Sequence, residues 1–171
     1  MKNTIFITLS IALAIAGFIW LAGPKKSENQ TAILVRGTQS SEQTGGELTA
    51  EETFHDFGNI SMKNGKVSYS FKVKNAGLET AIVRKLYTSC MCTEANLVKS
   101  DGKKTGPFGM AGHGFIPNIN KKMMVGEEFE VEAIFDPNAH GPAGVGPIDR
   151  IIYVENDGEL LELRIAGVVT P

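Results

Sequence analysis

The two cysteines of this chain stand two residues apart, in Ser89-Cys90-Met91-Cys92-Thr93, at the end of a predicted strand. In extended backbone both thiols point to one face, with Cα atoms about 6.6 Å apart. A disulfide prefers about 5.5 to 6 Å, so a bond there is expected to be strained and easily reduced. Two thiolates on one face can instead converge on a soft cation. The bland alternative is a pair of small half-buried residues, reduced or bridged.

Other soft or borderline ligands lie in two loops rich in Gly and Pro. Residues 99–124 carry Met110 and His113 beside Gly112, together with Met123-Met124, and residues 136–147 carry His140 beside Gly141. Thiolate, thioether and imidazole form the ligand set of Cu(I), more than of Mg or Ca. The absence of a second Cys pair disfavours a Cys₄ structural zinc site. The candidate metal ligands are therefore Cys90, Cys92, Met110, His113 and His140, with copper as the expected cofactor. A Met in a loop also serves simply to fill a gap beneath it. His55, between Phe54 and Phe57, is expected to face outward from a strand, and Glu128, Glu130 and Glu132 to form a strand's solvated face.

No catalytic template is present: no Gly-x-Ser-x-Gly, no His-Glu-x-x-His, no Gly-x-x-x-x-Gly-Lys. Thiol-disulfide exchange would need a helix N-terminus or a cation near the cysteines. The nearest basic residues in sequence are Arg84 and Lys85, which do not supply one in an evident way. The expectation is a non-enzymatic binding domain. An interaction or envelope-scaffolding module with structural cysteines, and a thiol-disulfide oxidoreductase, remain as alternatives.

The elements that must position these residues follow from hydrophobic patterning. Val67, Tyr69, Phe71 and Val73 alternate with Ser and Lys, and Phe129, Val131, Ala133 and Phe135 alternate with Glu and Asp. Both are half-buried strands. Less regular β-rich runs lie at 53–60, 80–88, 93–98, 148–155 and 160–169, and Asn156-Asp157-Gly158 marks a hairpin between the last two. No segment in this region keeps a helical period. About seven short strands predict an antiparallel β-sandwich over 51–171, with Phe57, Tyr69, Phe71, Val73, Phe129, Val131 and Phe135 in the core.

Ahead of this domain, Ile5 to Ala22 is almost wholly apolar. As a helix it would be about 27 Å long, close to the roughly 30 Å of a hydrocarbon core. A cleaved signal peptide is the rival reading, but Pro24 directly after Leu21-Ala22-Gly23 makes a poor cleavage site. Residues 1–23 are thus expected to be a membrane anchor, and 24–50, rich in Ser, Gln, Thr, Glu and Gly, a flexible polar stalk. The expected location is the cell membrane, single-pass, with the domain on the extracytoplasmic side and a protein partner left open. The formal charge of −2 falls to −5 once the first 26 residues are set aside, which gives no footing for nucleic acid.

The order of motifs also carries a family resemblance. Phe54-His55-Asp56-Phe57-Gly58-Asn59-Ile60, Phe71-Lys72-Val73-Lys74-Asn75-Ala76-Gly77, the Ser-Cys-x-Cys-Thr element, Phe135-Asp136-Pro137 and Leu163-Arg164-Ile165-Ala166-Gly167 follow one another. Together they resemble the bacterial "domain of unknown function 1573" family. The resemblance implies an immunoglobulin-like sandwich of the ASPM, SPD-2 and hydin type, in an exported protein, and implies no activity. Met91 stands where that family usually has Gly, and the 99–124 insertion is longer than its common form.

Overall fold

The computed structural model describes residues 46–157 and 159–171, and the predicted anchor and residues 24–45 of the stalk lie outside them. Eleven strands run through the described residues. They are β1 (Leu48–Ala50), β2 (Phe54–Ser61), β3 (Val67–Asn75), β4 (Ala81–Val83), β5 (Lys85–Thr88), β6 (Thr93–Lys99), β7 (Lys104–Phe108), β8 (Lys121–Met123), β9 (Glu128–Phe135), β10 (Gly146–Glu155) and β11 (Leu160–Thr170). Only short 3₁₀ turns at Met62–Asn64 and Gly141–Gly144 interrupt them, and no helix among the described residues is long and apolar enough to cross a membrane.

The chain is an all-β sandwich of two open sheets, ordered β1-β3-β9-β6-β7 and β2-β11-β10-β5, with a small β4-β8 pair beside them. The period-two pattern explains the first sheet. Phe71 sits opposite Val131, and Val131 opposite Leu97, so three strands present one apolar row inward. On the other face Lys72 opposes Glu130 and Lys74 opposes Glu128, cross-strand charge pairs that suit a solvated surface. Leu163, Ile165 and Val169 of β11 and Ile148, Ile152 and Val154 of β10 complete the core from the second sheet. β11 runs parallel to β2, and at the irregularity there Gly167 lets the strands approach: a Cβ would stand 2.8 Å from Ile60 Cδ1 and 3.0 Å from the Gly58 carbonyl.

Of the predicted core, Phe71, Val73, Phe129, Val131 and Phe135 are buried, while Phe57 and Tyr69 pack at its margin. Several expectations need correction. β1 takes in Leu48–Ala50, which pair with β3 although their sequence reads as stalk. The segment 99–124 is not all loop, since β7 pairs with β6 and β8 with β4. His55 does not face outward: it is half-buried, stacked on Tyr69 with ring centroids 3.7 Å apart and edge-on to Phe57.

Candidate functional site

β5 and β10 run antiparallel, with Leu86 opposite Val154 and Thr88 opposite Ile152. The ladder ends there, held by Ser89 N–H donating to the Ile151 carbonyl and Ile151 N–H donating to Ser89 Oγ, both at 2.9 Å. The chain then turns from one sheet toward the other. Thr93 N–H closes the turn on the Cys90 carbonyl at 3.1 Å, and β6 begins in the opposite sheet. The cysteines therefore occupy a corner between sheets and not a straight strand.

That corner removes the premise of an extended pair. Cys90 and Cys92 are joined as a disulfide with Cα atoms 5.3 Å apart, within the ordinary range for such a bond. Their surroundings differ. Cys92 is 2% exposed, its carbonyl accepting from Asp136 N–H at 2.9 Å at the end of β9. Cys90 is half-buried, and Met91 between them is 55% exposed.

His140 reaches the pair from the loop after β9. Asp136 folds that loop, its Oδ1 accepting from Asn138 N–H at 2.8 Å, while Asn138 Nδ2 donates to the Met62 carbonyl at 3.0 Å. Gly141, at φ 56°, turns the chain into the following 3₁₀ turn. His140 Nε2 comes to lie 3.6 Å from Cys90 Sγ, and the donor atoms of Cys90, Cys92 and His140 all fall within 4.8 Å of one another.

Three of the five predicted ligands thus converge. Met110 is close in backbone, bridging to Thr88 while the Gly109 carbonyl accepts from Thr88 N–H at 3.0 Å. His113 lies on the exposed part of the loop and does not join the cluster.

The sequence pattern left out Arg150. Its Nε donates to Cys92 Sγ at 3.2 Å, across 58 residues of sequence. On β10 it occupies the inward row between Ile148 and Ile152, where a charge interrupts an otherwise apolar series. That interruption was the available signal. Arg150 Nη1 also donates to the Asp149 carbonyl at 2.8 Å, but among the described residues the guanidinium forms no ion pair with a carboxylate. The nearby Asp149 carboxylate is taken by Arg164, whose Nε donates to Oδ1 at 2.6 Å. This bond, with Arg164 and Arg150 charges nearby, holds the Asp149 carboxyl below its usual range. An open hollow of about 840 Å³ lies over Cys90, His140, Arg150 and the Asp149–Arg164 pair, and Cys92 does not line it.

Chemically, the corner offers two arrangements. As a disulfide it presents one accessible sulfur and one buried sulfur beside a cation. Reduced, it would offer two thiolates and an imidazole.

Comparison with solved structures gives the fold alone. A protein of unknown function from Porphyromonas gingivalis W83 aligns with a TM-score of 0.53 at 12% identity, over 72% of this chain and 47% of that one. This chain thus spans about half the length of that structure. The VesB protease of Vibrio cholerae aligns at 12% identity with a TM-score of 0.42, over 76% of this chain and 33% of the protease. The periplasmic chaperone SfaE aligns at 12% identity with a TM-score of 0.39, over 73% and 59%. No curated protein matches the chain. A family model does, and it bears out the resemblance carried by the motif order. Over residues 48–106 the chain matches the family described as protein of unknown function (DUF1573), with both cysteines inside the matched segment and His140 and Arg150 beyond it.

Proposed function

We propose that this chain is a membrane-tethered, extracytoplasmic binding domain of immunoglobulin-like build, whose reduced Cys90–Cys92 pair holds Cu(I) with His140. The observation that carries this reading is the convergence of two sulfurs and one imidazole nitrogen within 4.8 Å. Two thiolates and a neutral imidazole suit Cu(I) in softness and number. Bound to a monovalent cation they would leave one net negative charge, and the Arg150 guanidinium beside Cys92 offsets it. The disulfide is the form that binds no metal, because both thiolates are consumed. His113 drops out of the ligand set. The tether rests on the apolar run from Ile5 to Ala22 and the polar stretch behind it.

The test is a competition titration with a Cu(I) chelator on fully reduced protein. Wild type should compete, Cys90→Ser with Cys92→Ser should not, and His140→Ala should compete less well. A double variant that holds copper as tightly as wild type, or a reduced wild type that holds none, overturns the metal site.

A second reading, an interaction module with structural cysteines, draws on the opposite rim. Leu78 and Met124 are 90% and 69% exposed, on two turns that Asn75 ties together by donating to the Glu79 and Met123 carbonyls. Such a module would be indifferent to copper and to reduction.

A further inference from the structure

We infer that an external thiol opens the Cys90–Cys92 disulfide in one direction only, by attacking Cys90 and expelling Cys92 as a thiolate received by Arg150. The inference goes beyond metal binding and holds whether or not copper binds.

Thiol-disulfide exchange requires a nucleophile to approach one sulfur in line with the bond that breaks, so access decides which sulfur is attacked. Cys90 lines the open hollow, whereas Cys92 is 2% exposed and lies outside its walls. Only Cys90 can be reached. The rate also depends on how readily the departing sulfur carries negative charge. Cys92 Sγ already accepts a hydrogen bond from Arg150 Nε at 3.2 Å, and a guanidinium keeps its charge throughout the physiological range. Asp149, its neighbour on β10, is engaged by Arg164, and among the described residues Arg150 forms no ion pair with a carboxylate. Access and charge stabilisation therefore select the same direction.

The step balances with one co-reactant class, a thiol. A thiolate R–S⁻ forms a bond to Cys90 Sγ as the Cys90–Cys92 bond breaks, giving a mixed disulfide at Cys90 and a thiolate at Cys92. A second thiol then attacks the sulfur of R, releasing R–S–S–R and leaving both cysteines reduced. Two electrons pass from the two external thiols to the protein.

The experiment uses the full chain, oxidised and metal-free, with glutathione as the thiol. Samples are treated with excess N-ethylmaleimide at short times, digested and mapped by mass spectrometry. Glutathione is expected on Cys90 and maleimide on Cys92, with at least about a tenfold excess over the reverse pattern. In guanidinium chloride, where the two sulfurs are equally exposed, the bias should vanish. The opening rate should fall about tenfold in Arg150→Met and be largely kept in Arg150→Lys, which retains a cation. Adducts on Cys92, an even split in the folded protein, or opening of a folded Arg150→Met at the wild-type rate would each overturn the inference. The wild-type mapping decides the direction even if Arg150→Met fails to fold. Because no metal is present, failure here is separable from failure of the copper titration.

Discussion

The Thr88 hydroxyl lies 2.9 Å from the Thr93 carbonyl and 3.0 Å from that of Cys90, bridging the two ends of the cysteine turn from a site 1% exposed. It is a donor placed under the corner where the chain changes sheets. Thr88→Val keeps the shape and removes the donor, so it should cost about 1 to 2 kcal/mol, read as a lower denaturant midpoint. An unchanged midpoint would show that strand pairing alone sets the turn.

Phe71 tests the core. Its ring is almost wholly buried between the sheets, opposite Val131. Phe71→Ala should cost about 3 to 5 kcal/mol, a large part of the stability of a domain this size. Equilibrium unfolding by urea, followed by circular dichroism, measures it.

Gly167 tests the packing of β2 against β11. An added methyl would press on Ile60 and on the Gly58 carbonyl, and the backbone atom has less room to yield. Gly167→Ala should cost about 1 to 3 kcal/mol, the range of overpacked sites. A thermal melt no lower than wild type would mean that the bulge absorbs the methyl.

Glu132 gives a pH dependence. Hydrogen bonds from Lys104 first and Asn96 second, with the Lys104 charge, hold its carboxyl below the ordinary value, against the opposing effect of burial. A carboxylate with a depressed folded pKa contributes stability above its unfolded pKa, and that contribution is lost as pH falls through the folded value. Glu132→Gln should therefore be about 1 kcal/mol less stable than wild type at neutral pH, given the exposed Lys104 partner. The gap should begin to narrow as pH falls through the ordinary Glu range, about 4.3, and close only below the depressed folded value. Paired denaturation curves at pH 7 and pH 3 check the sign.

Topology has its own test. A reporter enzyme that works only outside the cytoplasm, fused after Pro171, should be active if the Ile5–Ala22 run anchors and exports the domain. Activity of a strictly cytoplasmic reporter at the same position would reverse the orientation.

How much of this was legible in the sequence depends on whether each strand has a wet face. β3 and β9 do, so their alternation of apolar with charged residues is plain. β7 and β8 are short and sit among Gly and Pro, so their pairing leaves no periodic trace. The cysteines read as strand because Leu86 and Thr88 do continue inward, and nothing local announces the crossing to the other sheet. His140 was recognisable by residue type alone, but so was His113, and only the fold of the Asp136 loop separates them. Arg150 was visible as a charge in an apolar row, yet its partner stands 58 residues away, where no local pattern can point.

The closeness of the two cysteines in sequence has a consequence for stability. A cross-link stabilises largely by denying the unfolded chain its freedom, and the effect grows with the length of chain enclosed. Here the ends are two residues apart. The loop-closure relation gives about 1.6 kcal/mol for a three-residue ring, against about 3 for fifteen. The sandwich, with its large buried core, therefore stands on its sheets. Opening the bond should cost the domain little of its stability.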